Sequence, residues 1–347
     1  MNTEARIQSE TAKPATAPAE APRTMVEAIN LALARAMQDD DNVVLLGEDV
    51  GVNGGVFRAT AGLRERFGLQ RVMDTPLAES MIAGLSVGMA TQGLKPVAEI
   101  QFMGFVYAAM EHLISHAARM RNRSRGRLHC PMVLRAPYGG GIHAPEHHSE
   151  STEALFAHTP GLRVVIPSSP RRAYGLLLSA IADPDPVIFL EPKRIYRAVR
   201  HPLVDDGQAL PLDVCFTLRQ GEDLTLLSWG AMIPECQRAA ASLADAGISV
   251  ELIDVASISP LDMDTMIQSV RKTGRCLIVH EAARNCGVGA EIAAGIGEHC
   301  LLNLLAPVRR VCGFDVPMPY FQNENNYLPN TSDVVAAAME LMNYNGE

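Results

Sequence analysis

Three stretches of the chain concentrate side chains able to do chemistry. Gly139-Gly140-Gly141-Ile142-His143-Ala144-Pro145-Glu146-His147-His148-Ser149-Glu150 packs three histidines and two carboxylates into a Gly/Pro-rich loop after a predicted strand. That is where α/β proteins place binding and catalytic groups. A metal site there would need an unseen fourth group, and the spacing follows no zinc pattern. On this segment alone, a surface loop with solvated histidines reads equally well. Met73-Asp74-Thr75-Pro76-Leu77-Ala78-Glu79-Ser80 is the second stretch: a proline stops a strand and Glu79 enters the first turn of an apolar helix. A carboxylate favoured by the helix dipole accounts for it equally. The third, Gly84-Leu85-Ser86-Val87-Gly88, matches the G-x-S-x-G pattern of a serine hydrolase, whose nucleophile must occupy a strained strand-to-helix turn. This pentad lies inside a helical pattern that began near Leu77, and its small residues suit close packing of a buried helix instead.

Other signals exclude more than they assign. No G-x-G-x-x-G occurs, so nicotinamide-dinucleotide binding is unsupported. Arg119, Arg121, Arg123, Arg125 and Arg127 alternate without interleaved aromatics on a chain of net charge −9. They read as a solvated or subunit-facing edge rather than a nucleic-acid patch. The seven cysteines are scattered, with no C-x-x-C pair, which suggests neither zinc nor a disulfide framework. No apolar run approaches the ~20 residues of a membrane span. Charge is uneven: residues 1–204 carry 22 Lys+Arg against 20 Asp+Glu, and residues 205–347 carry 8 against 19. The C-terminal part is therefore an acidic module suited to a basic partner.

These groups must be positioned by a framework, and hydrophobic periodicity supplies one. Residues 1–22, rich in Ala and Pro, read as a disordered tail without the apolar core of a secretory signal; a cytoplasmic location is expected. Thr24 caps a helix carrying Met25, Ile29, Leu33 and Met37, with Glu27 completing a capping box. Strands are predicted at 43–46, 96–100, 131–135, 163–166 and 187–190, with helices at 78–92, 105–123 and 170–182. After a break at 196–222, strands at 224–228, 249–253, 276–280 and 308–312 alternate with helices at 232–246, 262–272, 288–299 and 331–342. The expected fold class is α/β: two domains, 23–204 and 205–347, each with a mostly parallel sheet flanked by helices.

Leu46-Gly47-Glu48-Asp49-Val50, Gly54-Gly55-Val56-Phe57-Arg58-Ala59-Thr60, the run Val72 to Ser80, Ala98-Glu99-Ile100-Gln101-Phe102, His148-Ser149, Pro160 to Val165 and Phe189-Leu190-Glu191-Pro192-Lys193 together resemble the beta subunits of thiamine-diphosphate-dependent 2-oxo acid dehydrogenases. The match runs in order from about residue 24 to 343. It implies a transketolase-like pyrimidine-binding domain followed by a transketolase C-terminal-like domain. It also implies an alpha2beta2 heterotetramer in which the alpha subunit holds the cofactor's diphosphate and Mg²⁺ through a Gly-Asp-Gly motif. That motif is absent from this sequence.

By the same resemblance, Glu79 bonds the pyrimidine nitrogen of thiamine diphosphate, Leu77 contacts the ring and Phe105 stacks on it. His148 stands near the reacting centre, and Glu48 takes part in proton relay. Ala144-Pro145-Glu146-His147 departs from the Gly-Ala-Leu-Tyr common in branched-chain enzymes. The implied reaction is oxidative decarboxylation of a 2-oxo acid with acyl transfer to the lipoyl acyltransferase core, docked on the C-terminal domain. The sequence favours the branched-chain type through Gly54–Thr60, Phe189–Arg197 and Leu305–Asp315. Pyruvate is the alternative, an acetoin-cleaving relative a third, and a noncatalytic assembly subunit or a serine hydrolase using Ser86 the readings from other classes.

Overall fold

Runs such as Val43-Val44-Leu45-Leu46-Gly47 and Val133–Tyr138 are buried at every position, which only the interior of a sheet covered on both faces allows. The computed structural model describes residues 20–346. Its first half carries β1 (Ala21–Arg23), β2 (Val43–Gly47), β3 (Val72–Asp74), β4 (Lys95–Glu99), β5 (Val133–Tyr138), β6 (Arg163–Val165), β7 (Val187–Pro192) and β8 (His201–Leu203). The second carries β9 (Phe216–Arg219), β10 (Leu224–Ser228), β11 (Val250–Asp254), β12 (Ser257–Ser259), β13 (Cys276–Ala283) and β14 (Arg309–Gly313).

The main sheet has seven strands in the order β12-β6-β7-β5-β4-β2-β3, and the second has five, β14-β13-β10-β11-β9. Pairing is parallel except at β12 and β9, which join antiparallel at edges. Successive strand residues serve opposite faces: Val133 and Leu226 join one apolar cluster, Leu134 and Leu227 the other. Strand β12 comes from the second half of the chain yet completes the first sheet. The fold is thus α/β with mostly parallel sheets between helices. No helix among the described residues is long and apolar enough to cross a membrane.

Most elements stand where periodicity puts them, including the helix Met25–Asp39 with its Thr24/Glu27 capping box and the helix Pro170–Ala182. Residues 1–19 of the Ala/Pro-rich segment lie outside the described residues, while Ala21–Arg23 pair with β8. The single helix expected over 105–123 is instead three short pieces: a 3₁₀ turn at Met103–Ala109, a π turn at His112–Ala117 and an α turn at Met120–Arg123. Tertiary contact overrides local propensity here. The carbonyl of His147 presses against Gly104 and that of Ala118 against Gly161, each so close that a Cβ would collide.

The charged centre of the main sheet spans three neighbouring strands. Arg135 on β5 is fully buried; its Nε and an Nη bond the Glu191 carboxylate of β7 at 2.7 and 2.8 Å, and its other Nη bonds Glu99 of β4. The Tyr196 hydroxyl donates to Glu191. Burial alone would lower the Arg135 pKa, but the two carboxylates hold it above its ordinary value. Burial raises that of Glu99, with Arg135 opposing.

Replacing Arg135 by Met strands two buried carboxylates and is expected to destabilise the chain by about 3–5 kcal/mol. Arg135→Lys keeps the charge but loses the planar two-point hold on Glu191, and an intermediate loss is expected. Guanidinium unfolding followed by circular dichroism checks both, and wild-type midpoints would refute the assignment.

Candidate active site

In an open parallel sheet the loops leaving the C-terminal strand ends form the natural site. Four neighbouring strands, β3-β2-β4-β5, deliver the residues singled out by the sequence to that edge. Glu48 follows β2, Leu77 and Glu79 follow β3, Phe105 follows β4 and His148 follows β5.

Glu79 opens the helix Glu79–Thr91 and is half-buried, with Leu77 before it 80% exposed. Glu48 is buried beside it. Burial raises the Glu48 pKa first, and the nearby charges of Glu79 and Asp49 raise it further, while a bond from the Ala78 amide opposes them. Its Oε1 is buried without a hydrogen-bond partner. Burial and a neighbouring carboxylate both disfavour the charged form of Glu48.

His148 stands against aromatic rings: its centroid lies 4.3 Å from that of Phe102 and 5.1 Å from that of Phe105, the latter edge-on. Its Nδ1 lies 2.7 Å from the carbonyl of Glu146. A carbonyl only accepts, so Nδ1 carries the proton and Nε2 is left for chemistry. The acidic neighbour therefore acts through its backbone; the Glu146 side chain instead accepts from the Tyr320 hydroxyl at 3.1 Å. The two halves of the edge meet where Gln101 Nε2 approaches Asp49 Oδ2 at 3.4 Å.

The loop carrying His148 is anchored at its base. Gly139 has φ +77°, and any Cβ there would collide with Glu281, so glycine is required. Lys193, itself buried, donates to the Gly139 carbonyl. Burial brings the Lys193 pKa down to about 8 against the pull of Glu281, Glu324 and Glu150. Burial lifts that of Glu281 to about 7, with Glu153 adding and Lys193 opposing. Lys193 stands in the sequence only as the end of the Phe189–Lys193 run, with no role, and nothing in the spacing of Glu281 and Glu324 joins them to it.

Other sequence signals resolve as framework. Ser86 is fully buried in mid-helix and donates to the Ile82 carbonyl at 2.8 Å, so it is no nucleophile at a turn. Gly84 gives room to His112. The three histidines diverge: His143 bonds the Phe321 carbonyl, His147 approaches Glu150 and His148 enters the aromatic cluster. Arg121 pairs with Asp185 at 2.8 Å, while Arg119, Arg123 and Arg127 bond nearby carbonyls. Cavities of about 640 Å³ beside Arg121 and Arg163 and 750 Å³ beside Cys286 lie away from Glu79 and His148. With the side chain of Leu77 standing in solvent, the helix that Glu79 begins is uncovered on that side.

Comparison with known proteins adds an independent finding. The transketolase pyrimidine-binding domain model matches residues 21–199, and the transketolase C-terminal domain model residues 215–334. The pyruvate dehydrogenase E1 component subunit beta of Acholeplasma laidlawii is 48% identical over 318 residues, covering 92% of this chain and 97% of that protein. The protein of that name from Bacillus subtilis is 48% identical over 321 residues, covering 92% and 99%. That from Staphylococcus epidermidis is 46% identical over the same shares. These relatives are named for pyruvate, not for a branched-chain 2-oxo acid. A solved structure titled split gene transketolase, inactive beta4 tetramer, has the same fold at TM-score 0.75 and 22% identity, covering 92% of this chain and 98% of its own.

The carboxylate pair makes a direct prediction. Glu79→Gln removes a negative charge that raises the Glu48 pKa, so the Glu48 titration, followed by carbon-13 NMR of its carboxyl, is expected to move to lower pH. An unmoved titration would mean that the two carboxyls do not interact.

Proposed function

The chain belongs to the beta subunits of thiamine-diphosphate-dependent 2-oxo acid dehydrogenases, and from that premise we propose that, with an alpha subunit, it decarboxylates pyruvate and passes the acetyl group to a lipoyl acyltransferase core. The observation that carries this reading is the delivery of Glu48, Glu79, Phe105 and His148 to one edge by four adjacent strands.

Those residues fit an aminopyrimidine. A half-buried carboxylate, an apolar Leu77, an aromatic Phe105 and an unpartnered buried oxygen of Glu48 suit a flat heteroaromatic ring with one nitrogen to bond. Glu79 would hold that nitrogen, Leu77 the ring's apolar edge and Phe105 its face. When bound, the cofactor supplies a nucleophilic carbon and an electron sink for decarboxylation. Glu79 would hold or give up a proton at the ring nitrogen, and Glu48, its pKa raised by burial, would hold one beside it. His148, with Nδ1–H fixed on Glu146, offers Nε2 to the substrate or the incoming acyl acceptor.

Partner surfaces support the same reading. Leu77, Met81 and Leu85 recur four residues apart and are 80%, 41% and 43% exposed, an apolar stripe beside Glu79 fit for an alpha subunit that holds the diphosphate and Mg²⁺. The excess of acid over base from residue 205 onward suits a basic docking domain of the acyltransferase core. Pyruvate replaces the branched-chain preference on the strength of relatives 46–48% identical over nearly their whole length; short motifs shared by both types do not outweigh that.

Reconstitution with the alpha subunit, thiamine diphosphate and Mg²⁺ is expected to give a higher kcat/KM for pyruvate than for 3-methyl-2-oxobutanoate. The reverse order would restore the branched-chain reading. In the same assay Glu79→Gln should lower turnover by at least about 10²-fold, the scale of acid-base groups, with a smaller effect on cofactor binding; near-normal turnover would remove Glu79 from the role.

A further inference from the structure

The loop bearing His148 is held from outside its own sheet, by a segment of the C-terminal part of the chain. Contacts reach it from Tyr320, Phe321 and Glu324. The Tyr320 hydroxyl donates to Glu146 Oε2 at 3.1 Å. The Phe321 carbonyl lies 2.9 Å from Nδ1 of His143, with the two rings 4.9 Å apart. Glu324, only 1% exposed, accepts the Gly141 amide through Oε1, while its Oε2 lies 3.2 Å from the same His143 nitrogen. The Gly141 bond spans 183 residues of sequence.

These contacts converge on the imidazole. Tyr320 fixes the side chain of the residue whose carbonyl fixes Nδ1 of His148, and Glu324 fixes the turn where that stretch begins. His143 and His147, non-glycine residues, adopt φ of +53° and +65°. Such conformations persist only where surrounding contacts over-determine them. A bond from a backbone amide to a buried carboxylate is charge-assisted and among the stronger constraints available.

We propose that Tyr320–Glu324 is a strap that positions His148, with Glu324 as its anchor and Tyr320 as its fine adjustment. Both are positioning residues, acting through Gly141 and Glu146. As regards turnover the inference rests on the function proposed above for His148; as regards geometry it does not.

The test uses the tetramer reconstituted with the alpha subunit and the variants Tyr320→Phe, Glu324→Gln and Glu324→Ala. Carbethoxylation of His148 by diethyl pyrocarbonate is read by peptide mass spectrometry, with exposed His201 as the internal reference, alongside kcat and KM for pyruvate. Glu324→Ala should change the His148 rate severalfold and lower kcat by between about ten- and a hundredfold, as a displacement of about 1 Å does, with KM nearly constant. Glu324→Gln keeps an oxygen to accept the Gly141 amide and should recover most of both. Tyr320→Phe should shift them less, in the same direction, and it decides the matter if Glu324→Ala fails to assemble. Unchanged His148 reactivity in assembled variants, whatever happens to kcat, overturns the strap. Altered reactivity with unchanged kcat upholds the strap and instead overturns the catalytic reading of His148.

Discussion

Arg135 and the two carboxylates it bridges are the constraint on which the rest of the edge depends. A buried ion costs several kcal/mol unless it is paired, so none of Glu99, Arg135 and Glu191 can leave without stranding the others. Glu99 ends β4, Arg135 lies within β5 and Glu191 lies near the end of β7, so their mutual bonds lock three neighbouring strands at the end where the loops emerge. The hold extends outward from there. A Cβ on Gly55 would come within 2.9 Å of Glu99 Oε1, so the Gly54–Thr60 loop rests directly on the charged triad. Lys193, two residues beyond Glu191, secures the base of the histidine loop.

A sheet locked in this way presents a rigid edge. Rigid support suits groups whose work depends on proton placement, since the raised pKa of Glu48 persists only while its burial and its separation from Glu79 are fixed. The same edge leaves Leu77 in solvent and Glu79 half-exposed. Desolvation strengthens electrostatic interactions in a site, and the side of the Glu79 helix that carries Leu77, Met81 and Leu85 is exposed.

Legibility followed the physics of each signal. Long apolar runs and capping boxes mark the buried strands and the helices Met25–Asp39 and Pro170–Ala182 to within three residues at each end, because burial on both faces leaves little choice of state. The edge strands β9 and β12 are four and three residues long and escape periodicity, while β3 shows only as the strand that Pro76 stops. The broken helix over 103–123 was missed because contacts with His147 and Gly161 decide it, not local propensity. Within the site, Glu79 was ambiguous from spacing alone, and family resemblance supplied its role. The bond of Glu324 to Gly141 joins positions 183 residues apart, and a single sequence holds no trace of such a pairing. The sequence favours branched-chain acids whereas the relatives are named for pyruvate, since motifs that hold the common fold say little about which side chain a pocket accepts.

The interleaving of the two sheets bears on how the chain divides. Strand β12 leaves β11 of the second sheet and completes the first, pairing antiparallel with β6. Close to that crossing Asp254 is fully buried, its Oδ2 2.9 Å from Arg172 Nε and bonded by Ser168. Burial lifts the Asp254 pKa to about 6 against the opposing pull of Arg172 and Ser168, so its partners in the first half are what offset the cost of a charge placed there. A cut near residue 205 would therefore take an edge strand from the main sheet, leave Asp254 without its cation and remove Tyr320–Glu324 from the His148 loop. Two family models describe the chain, but the Arg172–Asp254 pair crosses between them, and the first sheet is whole only with a strand from the second half.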